Sequence, residues 1–192
     1  MQLVQRDQGG LAFERFVSES ADSLLRTAYL VTGDASHAED LVQESFLKVA
    51  RRWARVSSMD SPRAYARKIL VNLALDGTKR RSLHRDELGK KSPPEWPPRW
   101  ESEISRGAFA AVDDRLELIR ALGELPPRQR AVLVLRYFDD LSESEVASTL
   151  GCSLGTVKST TSRALERMRA LVPKEEATAR ADARFLACRV KG

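Results

Sequence analysis

The sequence predicts an all-α chain in which two small helical domains are joined by a flexible linker. Three observations predict it. Apolar residues recur at i, i+3 and i+4 through residues 11–81 and again through 126–171, the period of helices packed on one side. No stretch alternates with the two-residue period of a strand, and no internal repeat is present. Between the helical stretches, Ser92-Pro93-Pro94 and Trp96-Pro97-Pro98 forbid continuous helix and favour an extended connection. The expected boundaries are 1–82 for the first domain, 83–114 for the linker, 115–173 for the second domain and 174–192 for a tail. A chain of 192 residues can hold one medium domain or two small ones.

The first domain opens with a helix from Leu11 to about Val31, with Phe13, Phe16, Val17, Leu24, Ala28 and Val31 near one face. Gly33-Asp34 ends it and offers Asp34 as the N-cap of the next helix. That helix has the clearest period in the chain: Ala38, Leu41, Val42, Ser45, Phe46, Val49 and Trp53. Its acidic residues (Asp34, Glu39, Asp40, Glu44) fall early, and Lys48, Arg51, Arg52 and Arg55 fall late, which complements the helix dipole. Asp40, Gln43 and Glu44 stand at i, i+3 and i+4, away from most of the apolar stripe. A third helix starts at Ser61-Pro62 and is expected to carry Tyr65, Ile69, Leu70 and Leu73 inward, ending near Gly77 or Arg81. Lys68, Asn72 and Lys79 share one of its faces, with Arg80 adjoining.

The second domain is punctuated by capping residues. Pro126-Pro127 suits a helix start, where a proline gives up no needed donor. The helix is expected to reach about Tyr137, with Ala131, Val132, Leu135 and Phe138 as its stripe, and Asp139-Asp140 breaks it. Ser142 and Glu145 fit a capping box that opens a short helix with Val146, Ala147 and Leu150 inside. Gly151 is placed as its C-cap, where a left-handed backbone costs least without a Cβ. Ser153 then caps a last helix whose apolar face is Val157, Ala164, Leu165, Met168 and Leu171. Two helices joined by a tight glycine-containing turn form a helix-turn-helix, whose second helix suits the major groove.

Opposite that apolar face, Lys158, Ser159, Ser162 and Arg163 point one way. Arginine can read guanine bidentately, serine can bond base or phosphate, and lysine serves either. A solvated polar face is the usual meaning of such a run. The cap, helix, glycine, cap order that precedes it supplies the context of a recognition helix and favours DNA binding.

Charged residues make up 31% of the chain, the net charge is +5 and the pI is about 9.5, which favours an anionic partner moderately. The two cysteines, Cys152 and Cys188, have no Cys/His ligand spacing around them and read as structural thiols in a reducing compartment. No apolar run reaches membrane-spanning length and the N-terminus lacks the apolar core of a signal peptide, so a cytoplasmic protein is expected. The tail could form a helix with Phe185, Leu186 and Val190 on one side, and no function is read from it.

The motifs carry a resemblance. L-P-x-x-x-R at Leu125–Arg130, L-S-x-x-E-x-A at Leu141–Ala147 and L-G-C-S-x-G-T-V-K-S at Leu150–Ser159 resemble region 4 of the ECF (extracytoplasmic-function) sigma factors of the sigma-70 family. Response-regulator output domains share that shape, so a second match is needed. A-E-D-L-V-Q-E-S-F at Ala38–Phe46 supplies it, being similar to the region 2 helix by which sigma factors grip core RNA polymerase. The resemblance implies that Asp40, Gln43 and Glu44 meet the clamp helices of the largest subunit, and that region 4 meets the flap of the second-largest. Pro62–Asn72 resembles the promoter-melting helix, which implies that Asn72, flanked by Lys68, Lys79 and Arg80, receives a flipped base of the −10 element. Tyr65 stands where the family often has Trp, Ser57–Asp60 would be the nearby specificity loop, and Thr160 stands where many members have Arg. In the family Lys158, Ser159, Ser162 and Arg163 correspond to positions used against −35 bases. The linker, with Trp96 and Trp100, would thread the polymerase toward the RNA exit channel.

The motif spacing looks like a SigE-like subgroup of actinobacteria. Promoter DNA and core polymerase are the implied partners, an anti-sigma factor is a further candidate, and no cofactor is implied. Two rival classes are a helix-turn-helix regulator that binds operators without polymerase, and an enzyme built on His37, Glu39, Asp40 and Glu44 as metal ligands. The polymerase-type helix argues against the first, and the lack of a second ligand set against the other.

Overall fold

The computed structural model describes the backbone of residues 2–83 and 112–171, with side chains for 9–77 and 118–171. The expected linker core and the C-terminal tail, with Trp96, Trp100 and Cys188, lie outside the described residues. Among the described residues all regular structure is helical. The chain divides into two compact units, Met1–Trp100 and Glu101–Gly192.

In the first unit α1 spans Gln2–Thr32, α2 Ala35–Ala50, the one-turn α3 Trp53–Val56 and α4 Pro62–Leu83. Helix α1 begins nine residues before the apolar period does, running on through Gly9 and Gly10. It ends at Gly33, whose φ of 70° is left-handed and whose N–H donates to Tyr29 O at 2.7 Å. Asp34 then caps α2, its carboxylate accepting from the His37 N–H at 2.9 Å. Helix α2 buries Ala38, Leu41, Val42, Ser45 and Val49, and the Ser45 hydroxyl is satisfied by Leu41 O at 2.7 Å.

Trp53 does not continue that helix as the period predicts. The chain turns at Arg51-Arg52, and Trp53 opens α3, packing on Phe13 and Phe16 at ring-centroid distances of 5.2 and 5.1 Å. Phe16 in turn meets Phe46 at 6.0 Å.

The inward face of α4 is a correction. The buried residues are Ala66, Leu70, Val71, Ala74 and Leu75, while Tyr65, Ile69 and Leu73 are half-buried. The core face is rotated about a third of a turn from the expected one, given 100° per residue. Ala66 and Ala74 share that buried face with Leu70, Val71 and Leu75, and a period read from the large side chains passes over them. Near the helix end Gly77 passes close to α2: a Cβ there would stand 3.6 Å from His37 Nε2.

In the second unit α5 spans Val112–Gly123, α6 Pro127–Leu133, a π-helical turn Val134–Phe138, α7 Glu143–Leu150 and α8 Leu154–Leu171. Helix α5 has no counterpart in the sequence reading; it buries Ala121 and Leu122, with Leu125 just beyond. Arg130 through Leu135 are all buried, so the second half of α6 and the turn that follows it form the centre of the unit, while Pro127 and Arg128 at the helix start are exposed. The Arg130 guanidinium donates to the carbonyls of Gly123 and Leu125, which caps α5.

Helix α6 widens where simple α-helix was expected to run on to Tyr137. In the π turn Asp139 N–H donates to Val134 O at 3.1 Å and Leu141 N–H to Leu135 O at 3.0 Å. The Arg136 side chain bonds Leu141 O, tying the turn to the segment that enters α7. Phe138, expected inside, is half-buried. Asp140 takes the left-handed conformation at φ 53°, which completes the break.

Candidate nucleic-acid interface

The turn between α7 and α8 is built from local chemistry. The Ser142 hydroxyl accepts from Glu145 N–H at 3.3 Å and the Glu145 carboxylate accepts from Ser142 N–H at 2.8 Å, a reciprocal capping box. Gly151 closes α7 at φ 61°, and the following Cys152 N–H donates to Ala147 O at 3.0 Å. Cys152 is half-buried in this turn. The Ser153 hydroxyl accepts from Thr156 N–H at 3.1 Å and starts α8. Val157, Ala164 and Met168 fix α8 to the unit, Leu165 is half-buried, and Leu171, expected on that face, is 43% exposed at the helix end.

With those anchors the opposite face is set. Lys158, Ser159, Ser162 and Arg163 are all exposed, as are Arg167 and Arg169 further along. Thr160 and Thr161 sit half-buried on the flank, and the Thr161 hydroxyl bonds back to Val157 O at 2.8 Å. Two acidic residues adjoin this face that the sequence reading passed over. Glu166 is exposed one turn beyond Ser162 and Arg163, and Glu143 of α7 reaches Lys158, Oε2 to Nζ, at 3.8 Å. Helical spacing alone locates Glu166; only the packing of α7 on α8 reveals Glu143.

In the first unit the solvent face of α2 holds Asp40, Gln43 and Glu44, all exposed, with Glu44 paired to Lys48 at 3.0 Å. Leu47 lies in the middle of the same face, 59% exposed. An apolar residue seven positions after Asp40 and outside the core stripe is the signal that could have found it. On α4 Lys68 and Asn72 are exposed on one side; Lys79 and Arg80 belong to the helix, but their side chains lie outside the described residues. The Arg52 guanidinium donates to the Tyr65 hydroxyl at 3.2 Å, joining the turn before α3 to the start of α4. The four imagined metal ligands do not assemble. His37 is half-buried against Gly77, whereas Glu39, Asp40 and Glu44 are exposed, and no group of three or more His, Cys, Asp or Glu among the described residues could hold an ion.

Comparison with known proteins joins the two faces. Residues 16–84 match the family model for sigma-70 region 2, and residues 115–168 the model for sigma-70 region 4. The RNA polymerase sigma-E factor of Streptomyces coelicolor is 34% identical over 171 residues, covering 89% of this chain and 92% of that protein. This chain belongs to the sigma-70 family. It is an ECF-type RNA polymerase sigma factor. The ECF sigma factor SigE of Mycolicibacterium smegmatis is also 34% identical over 171 residues, covering 88% of this chain and 65% of that protein. Among solved structures, the Mycobacterium tuberculosis sigma factor SigJ covers 90% of this sigma factor and 58% of its own chain at a TM-score of 0.59 and 25% identity. The Bartonella quintana sigma factor RpoE, solved with the anti-sigma factor NepR, shares the fold: TM-score 0.66, 24% identity, 86% of this chain and 99% of that one. No helix of the described residues is long and apolar enough to cross a membrane.

Proposed function

We propose that this sigma factor holds core polymerase through the solvent face of α2 and reads a promoter at two places. Asp40, Gln43 and Glu44 dock on the clamp helices of the largest subunit, where acidic and amide groups suit a basic partner. Lys158, Ser159, Ser162 and Arg163 read the −35 duplex from α8, and region 4 rests on the flap of the second-largest subunit. Asn72, with Lys68, Lys79 and Arg80, takes a base of the −10 element as the duplex opens. Residues 1–82 and 115–173 are the working domains and 83–114 the linker between them. The factor has no catalysis of its own, acts in the cytoplasm, and is a candidate for control by an anti-sigma factor.

The observation that carries this reading is the pairing, within one chain, of an exposed acidic docking helix and an exposed helix-turn-helix recognition face. The test is co-elution of the full chain with purified core polymerase on gel filtration. Wild type is expected to form a holoenzyme, and the triple change of Asp40, Gln43 and Glu44 to alanine to abolish it. A chain that selects a DNA site without polymerase, and whose elution the triple change leaves untouched, is a regulator of another kind.

A further inference from the structure

Lys158 sits near the start of α8, on the face that meets DNA, yet its ammonium is engaged on the protein. The Glu143 carboxylate, from the first residue of α7, stands 3.8 Å from it. Both side chains reach solvent, so the pair adds little to stability. Its consequence is for binding. In a helix-turn-helix the first helix crosses the phosphate backbone while the second enters the major groove. A carboxylate at the start of the first helix therefore faces the sugar-phosphate rail, where duplex DNA carries about one negative charge per 1.7 Å of axis. There it offsets the cation that would otherwise be free to settle on any phosphate.

We infer that Glu143 is a specificity-determining residue: it holds Lys158 on the protein and suppresses non-specific phosphate binding. Lys158 moves to DNA only where a base acceptor, such as guanine O6 or N7, offers more than the carboxylate does. The effect on Lys158 makes Glu143 a positioning residue, and the inference rests on reading α8 as the −35 recognition helix. Glu143 does not participate in the capping box, which Ser142 and Glu145 form without it, so its replacement leaves the start of α7 capped.

The experiment uses holoenzyme assembled from the full chain and core polymerase. Two competing promoter fragments are compared, one with the −35 element selected from a random pool and one with that element scrambled, at several salt concentrations. Glu143→Gln is expected to raise affinity for the scrambled fragment about three- to tenfold and to steepen the salt dependence by roughly one counterion. Affinity for the selected fragment rises less, so the ratio falls; Glu143→Asp, which keeps the charge, retains the ratio. In a Lys158→Ala background Glu143→Gln is expected to change neither slope nor ratio by a comparable amount. Three results would overturn the inference. Glu143→Gln leaves slope and ratio as in wild type although wild type discriminates; or its effect persists in full without Lys158. In the third, wild type itself fails to discriminate the two fragments, and the −35 reading of α8 falls as well.

Discussion

Arg163 and Lys158 share one exposed face of α8 but differ in what holds them, because only Lys158 has an acidic partner at 3.8 Å. A bidentate arginine–guanine contact contributes about 1–3 kcal/mol of discrimination. Arg163→Ala is therefore expected to lose roughly tenfold or more at one base position, read by competition over single-base variants of the selected −35 site. Equal weakening of every variant would reduce Arg163 to a phosphate contact. Arg167 and Arg169 lie further along the helix. Their removal should weaken all sequences alike and make the salt dependence shallower by about one counterion each. In the other unit Asn72→Ala is expected to reduce permanganate-reactive thymines, the mark of open complex, more than it reduces −35 capture. Loss of −35 capture with melting intact would exclude Asn72 from the melting site. Asn72 is exposed, so thermal stability of the free protein should hardly change.

At the scale of elements, the parts best legible in the sequence are those fixed by local chemistry. The Asp34 cap, the Ser142–Glu145 box, the Gly151 turn and the Ser153 cap each depend on residues within three or four positions of one another. Gly151 at φ 61° has no room problem for a side chain, only a backbone one, so Gly151→Ala should cost about 1–2 kcal/mol. A lower midpoint of urea unfolding at unchanged slope is the expected reading. What was not legible depends on partners remote in sequence. The buried face of α4 includes Ala66 and Ala74, which weigh little in an apolar period, and it leaves Tyr65, Ile69 and Leu73 half-buried. The π turn at Val134–Phe138 answers to Leu141 and Arg136, which bond across it. Helix α5 went unread, yet its end is held by Arg130, a residue visible in the sequence only as part of a motif. Arg130→Ala should destabilise this unit by about 2–3 kcal/mol, since it removes bonds to two carbonyls in a buried setting. An unchanged unfolding midpoint would mean those carbonyls find other donors.

For the whole molecule, each unit presents an exposed helix face that its own core leaves unused. The solvent side of α2 carries two carboxylates, an amide and Leu47; the solvent side of α8 carries Lys158, two serines and Arg163. The candidate residues of both faces were legible because they interrupt no apolar stripe. Their acidic neighbours Glu143 and Glu166 were not weighed, since a carboxylate beside a DNA-binding face runs against the expected charge. On the proposed reading the two faces act together, one holding polymerase while the other chooses the promoter. The most direct measurement is run-off transcription by purified core polymerase, with and without the full chain, on fragments randomised at the −35 and −10 elements. Transcripts are expected only when the chain is present, enriched for one pair of elements and lost when Asp40, Gln43 and Glu44 are replaced together. Transcripts equally diverse with and without the chain, or undiminished by that triple change, would contradict that reading.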